Sequence, residues 1–164
     1  MQLKWIRFAL WIFVVIWMAV IFGLSSQVAS TSSTLSGLTV RIVAEHTQPG
    51  FGKLPAVQQN SIIENYQHLV RKTAHVLGYM FLGMLCMAAF SSYALSLPRR
   101  TAAALSICIG YAGTDEIHQL FVAGRSGQIS DVGIDSCGAL LGIGAVIVIL
   151  WGWHKLRRKK NRTV

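Results

Sequence analysis

The chain has 164 residues, 53% of them hydrophobic and 13% charged, with a mean hydropathy of +0.51; this excludes an ordinary soluble domain and fits one small multispan membrane domain over 1–164. The net charge of +9 does not point to nucleic acid. Lys155, Arg157, Arg158, Lys159, Lys160 and Arg162 crowd the end behind an apolar run, as a cytoplasmic anchor does, and no basic surface interleaved with aromatics occurs elsewhere.

Lys4 and Arg7 precede Phe8–Leu24, an uncharged run of seventeen residues that, with its flank, predicts a first span over about 5–24. Its apolar part is too long for a typical cleaved signal, although Val28-Ala29-Ser30 fits a cleavage site loosely. From Ser25 to Gln59 the composition turns to Ser, Thr and Gln with Gly37, Pro49, Gly50, Gly52 and Pro55, which predicts an aqueous loop. Leu35, Leu38, Ile42 and His46 recur at helical spacing within it, either as a short amphipathic helix on the membrane surface or as ordinary loop packing.

Ser61 and Glu64 form a capping box that predicts a helix start just before Ile62, leading into a second span over about 73–97. Pro98-Arg99-Arg100 reads as a tight basic turn. A third span over about 101–121, a loop through Gly124, Arg125 and Gly127, and a fourth span over about 132–153 complete an all-α, polytopic membrane protein of about four transmembrane helices. Cys86, Cys108 and Cys137 are odd in number, lack a C-x-x-C pair and frame neither disulfides nor a zinc site; they read as small buried hydrophobes. The tryptophans read as interface anchors.

Ten Lys and Arg fall at the two ends and at Arg99 and Arg100, against five (Arg41, Lys53, Arg71, Lys72 and Arg125) on the opposite side in longer loops. The positive-inside rule therefore predicts that both termini are cytoplasmic.

The intramembrane ionisable groups gather at the outer ends of the spans. Arg71, His75 and Tyr79 form one stripe of the second span, and Asp131, Asp135, Gly138 and Gly142 one face of the fourth. The Gly138-x-x-x-Gly142 pair predicts close approach of a neighbouring helix. In the third span Asp115, His118 and Gln119 lie on neighbouring positions, while Glu116 points about 100° away and needs a different neighbour. At ~1.5 Å rise per residue, Asp115, His75 and Asp135 come to nearly one depth. Such groups within a membrane are a functional-site hypothesis by default. The competing account is interhelical glue worth about 0.6–2 kcal/mol per bond, which does not offset so many buried charges. His75, Asp115, Glu116 and His118 are the acid–base candidates, and Arg71, Tyr79, Gln119, Arg125, Asp131 and Asp135 the contacts for a substrate. Arg125 and Asp131 read first as a loop ion pair, Lys72 as a solvated charge, and His46, His68 and His154 as surface residues. A mixed His and Asp set is a weak metal candidate because no helix carries a two-histidine zinc spacing; no metal or other cofactor is assigned.

Ile21-Phe22 with Ser25-Ser26-Gln27, Arg71-Lys72-x-x-His75 with Tyr79, and Asp115-Glu116-x-His118-Gln119 followed by Arg125, Asp131, Gly138 and Gly142 resemble the pattern of the VanZ-like family of bacterial membrane proteins. Asp135 stands where that pattern often carries Asn. The resemblance implies the bacterial plasma membrane and an envelope context, the named family member being associated with teicoplanin resistance, and it implies no particular reaction. The leading expectation is binding or modification of a lipid-linked or anionic envelope component at the outer leaflet. A small proton-coupled transporter and a structural or partner-binding membrane protein are the alternatives.

With the native cysteines removed, an impermeant thiol reagent applied to intact cells is expected to label the chain carrying Gln59→Cys and to spare the one carrying Arg162→Cys. Labelling at position 162 would reverse the predicted orientation.

Overall fold

The computed structural model describes residues 2–125 and 127–160, and among them all regular structure is helical. The helices are α1 (Gln2–Ser25), α2 (Ala29–Thr47), α3 (Ala56–Ser91), α4 (Leu97–Gln119) and α5 (Ile129–Lys160), with a 3-10 turn at Phe51–Lys53. Three of them, α1, α3 and α5, are long and apolar enough to cross a membrane. α4 has 23 residues, about 35 Å at 1.5 Å each, also long enough for a ~30 Å hydrocarbon core. It is less apolar because its last turns hold Asp115, Glu116, His118 and Gln119.

Helix α3 is the axis of the fold and packs against each of the other four helices. Its 36 residues make a rod of about 54 Å, longer than the hydrocarbon core, so its first turns project beyond it. The predicted capping box does not start this helix. Pro55 does, from the N-cap position, where its fixed φ and missing N–H favour helix entry; Ser61 and Glu64 lie in the interior. At the far end the turn falls at 92–96, and Pro98 belongs to the first turn of α4 rather than to the connection.

The stretch predicted as an aqueous loop is mostly the 19-residue helix α2, folded back along the projecting part of α3 with Gly37 facing Ile63 and Gln67. Its inward face is not the predicted apolar one. Ser32, Ser36, Val40 and Ala44 are buried, whereas Leu35, Leu38 and Ile42 are about half exposed. Small side chains let α2 lie close to α3, and the Ser36 hydroxyl donates to the Ser32 carbonyl within the helix.

The core lies between α3, α4 and α5, around Tyr79, Leu82, Cys86 and Met87, then Ala104, Cys108 and Ala112, then Ala139 and Ile143. Cys86 and Cys108 are buried here as expected, but Cys137 is exposed because it points away from α3. Without water between them, membrane helices associate through close packing and polar contacts. Here a Cβ added at Gly138 would meet the Val76 carbonyl at 2.5 Å, and one added at Gly142 the backbone of Met80; Gly83 of α3 stands equally close to Ala139. The pairings ascend together, so α5 runs parallel to α3.

Helix α1 is held differently. Most of its surface, from Trp5 to Leu24, is exposed, with only Val14, Ile21 and Ser25 buried. Polar bonds fix it instead. Arg7 donates from Nε and Nη2 to the Ser92 carbonyl at 3.1 and 2.8 Å and lies over the Tyr93 ring, a cation capping the end of α3. Trp11 donates to Tyr93 Oη at 3.0 Å, Trp17 to the Gly78 carbonyl at 2.9 Å, and Tyr111 to the Met18 carbonyl. Trp11 and Trp17 are thus fasteners inside the bundle rather than interface anchors. Trp5, Trp151 and Trp153 do lie outward.

Replacing Gly142 by Ala is expected to destabilise the purified protein by about 1–3 kcal/mol through overpacking, read as a lower unfolding midpoint in detergent. Gly144→Ala, where no atom lies within 4 Å of the added Cβ, is expected to stay within about 0.5 kcal/mol of the parent. Equal midpoints for the two variants would contradict close packing of α3 and α5.

Candidate functional site

The polar groups converge at the end of the bundle where α1 runs into α2 and α4 into α5. Along α3 and α5 they form successive rungs above the glycine contact. Lys72 Nζ donates to Asp131 Oδ1 at 3.0 Å. One turn deeper, His75 Nδ1 stands 3.6 Å from Asp135 Oδ2, within ion-pair range but too long for a hydrogen bond. Asp131 is therefore partnered by Lys72 and not by Arg125 as the loop reading expected, and Lys72 is a half-buried structural cation rather than a solvated one. Asp135 is 1% exposed, and neither of its carboxylate oxygens has a hydrogen-bond partner among the described residues.

Helix α4 contributes a second cluster. Asp115, Glu116 and Gln119 are all buried. Gln119 Nε2 lies 3.1 Å from Asp115 Oδ2 and 3.5 Å from Glu116 Oε1, so one amide serves both carboxylates. The other Glu116 oxygen accepts the Gln128 backbone N–H at 2.7 Å, and Gly127 packs against the Glu116 carbonyl. The neighbour that Glu116 requires is thus the loop between α4 and α5. Asp115 lies within electrostatic reach of both His75 and Asp135. Asp115 Oδ1 and Tyr79 Oη are buried without hydrogen-bond partners among the described residues.

His118 does not join this group. It faces α1, where its Nε2 lies 3.1 Å from Ser26 Oγ and its ring packs on Phe22 at 4.4 Å between centroids. The structure therefore brings together Arg71, His75, Tyr79, Asp115, Glu116, Gln119, Arg125, Asp131 and Asp135, and turns His118 aside. Among the described residues no three His, Cys, Asp or Glu side chains converge as a metal-ion site.

Two cavities meet here. A polar one of about 220 Å³ lies between α3, α5 and the α4–α5 loop and is lined by His68, Arg71, Lys72, His75, Arg125 and Asp135, among others. A larger cleft of about 610 Å³ runs between α1, α2 and α3, from Arg71, His75 and Arg125 down to Trp17, Leu77 and Phe81. Arg71, His75 and Arg125 line both. Burial, and then the neighbouring Arg71, hold the Arg125 guanidinium below its ordinary pKa, while Asp115 and Glu116 oppose that shift. Among the described residues neither Arg71 nor Arg125 has an ion-pair partner, and Arg125 Nε is buried without an acceptor. Two adjacent cations so placed favour a bound anion.

His68 is exposed, as the sequence reading has it, and it also lines the polar cavity, a role that reading does not give it; nor does it give a role to the Gln128 amide. The place of His68 on the cavity wall was recoverable: it lies three and seven residues before Arg71 and His75, on the same helical stripe. The Gln128 contact belongs to a loop backbone and leaves no side-chain signal.

Comparison with known proteins adds one result. No curated protein and no solved structure matches the chain. The family model described as VanZ/LLP1 matches residues 10–151, which take in two thirds of α1, the polar end and most of α5. On a match of that extent, joined to three apolar helices long enough to cross a bilayer, this chain is a membrane protein that belongs to the VanZ/LLP1 family.

Proposed function

We propose that the chain is a multi-pass protein of the bacterial plasma membrane, both termini cytoplasmic, that binds an anionic group of an envelope component at the outer leaflet and thereby contributes to tolerance of teicoplanin-type glycopeptides. The observation that carries this reading is the convergence of the polar cavity and the apolar cleft on Arg71, His75 and Arg125. A guanidinium presents N–H donors in a planar fork suited to phosphate or carboxylate oxygens, and two such forks here lack ion-pair partners among the described residues.

The residues behind the arginines have separable parts. Asp135 orients His75 from 3.6 Å, and His75, lining both cavities, is the group placed to give or take a proton at a bound oxyanion. Asp115 stands behind this pair with one free oxygen, and Gln119 and the Gln128 amide hold Glu116. Lys72 and Asp131 brace α3 against α5. His118, turned to Ser26 and Phe22, secures α1 and stays outside the anion site.

In a strain made teicoplanin-tolerant by expressing this chain, Arg71→Gln and Asp115→Asn are each expected to abolish tolerance with membrane levels near normal by quantitative immunoblotting. His118→Gln is expected to keep most of it. Full tolerance in both of the first two variants would refute the reading, and tolerance falling in step with protein level would assign them a folding role.

A further inference from the structure

The larger cleft has an amphiphile's gradient of chemistry. Arg71, His75 and Arg125 stand toward one end, where Ser32 and Ser36 of α2 share the lining, and Leu77 and Phe81 line the wall further along α3. From Arg71 to Phe81 it follows α3 for ten residues, about 15 Å at 1.5 Å each, or half of a ~30 Å hydrocarbon core. It therefore spans one leaflet, with its charged end at headgroup level. Leu77 and Phe81 are 52% and 43% exposed, so the wall opens sideways. At that depth the surroundings are lipid, and a ligand reaches the cleft from the bilayer rather than from water. The nearby carboxylates do not pair directly with the arginines: Asp131 is paired with Lys72, Asp135 lies against His75, and Asp115 and Glu116, which act on Arg125 only from a distance, are bonded by Gln119.

We propose that this cleft seats one hydrocarbon chain of an anionic phospholipid, with the phosphodiester between Arg71 and Arg125. A phosphodiester has two non-bridging oxygens, one for each guanidinium, and the arginines disfavour a headgroup that carries its own cation. The inference rests on the anion site of the functional reading but not on its link to antibiotic tolerance. It also gives a reason for Gly78. This residue lines the cleft, its Cβ position meets only Ile21 at 3.9 Å, and a larger side chain there would fill space that a chain occupies.

The test is native mass spectrometry of the full chain in detergent, offered dioleoyl phosphatidylglycerol, dioleoyl phosphatidylcholine or inorganic phosphate. Phosphatidylglycerol is expected to be retained about tenfold over phosphatidylcholine, the increment of a charge-assisted contact. The double variant Arg71→Gln/Arg125→Gln should bring the ratio close to one. Gly78→Leu and, independently, the exposed lining position Ala74→Leu should each reduce phosphatidylglycerol retention by filling the cleft, while both keep the Gly78 carbonyl that Trp17 bonds. Equimolar inorganic phosphate should not displace the lipid.

Equal retention of the two lipids overturns the proposal in favour of annular lipid alone. Displacement by inorganic phosphate, with Gly78→Leu and Ala74→Leu binding unchanged, overturns it in favour of a soluble-anion site. Absence of a phosphatidylglycerol preference would remove this inference even where Arg71→Gln abolishes tolerance. A preference that survives while Arg71→Gln retains tolerance would uphold the lipid seat and reject the role in tolerance.

Discussion

The polar end of this protein depends on the backbone contact between α3 and α5. Gly138 lies on Val76 and Gly142 on Met80, with Gly83 answering against Ala139. Asp135 is one turn above Gly138, and His75 is next to Val76. The spacing that lets the two backbones touch therefore also sets His75 and Asp135 at ion-pair distance, and Lys72 and Asp131 a turn beyond. In hydrocarbon no hydrophobic force draws two helices together, so their approach must come from small residues and polar contacts. Here the two devices are stacked along one seam.

That seam explains how so many ionisable groups are accommodated. An isolated charge at mid-membrane costs about 2.5–3.5 kcal/mol on insertion scales, and α4 carries its carboxylates on a helix that falls short of the apolarity of α1, α3 and α5. Helix α4 packs on both α3 and α5, and its buried face of Ala104, Cys108 and Ala112 continues into Asp115, Glu116 and Gln119. The carboxylates thus face protein, where Gln119 and the Gln128 amide meet them. Arg71 and Arg125 are the cations of this end left without an ion-pair partner among the described residues.

Helical phase made much of this legible beforehand. The stripe of Arg71, His75 and Tyr79, the face shared by Asp131 and Asp135, and the close approach at Gly138 and Gly142 all follow from period 3.6. Phase fixes which residues share a face but not which neighbour that face meets. Asp131 therefore went to Lys72 rather than Arg125, and His118 went to α1 rather than to Asp115. Helix α2 was obscured for another reason: its packed face is built of Ser32, Ser36 and Gly37, which read as loop composition, while its leucines point outward. The Ser61–Glu64 pair fits a helix start locally, yet Pro55 already supplied one six residues earlier.

The fastening of α1 bears on the order in which the protein is built. Arg7, Trp11 and Trp17 find their partners at Ser92, Tyr93 and Gly78, residues 85, 82 and 61 places later in the chain. Synthesis delivers α1 first, so for that interval the helix must reside in the bilayer without any of its companions. It is equipped for this, with a window hydropathy of 2.5 against 1.6 for α3 and 2.1 for α5. The same solitary residence would be costly for α4, whose carboxylates need α3 and α5 around them. The first helix is therefore the one suited to enter as an independent span, and the fourth is suited only to enter in company.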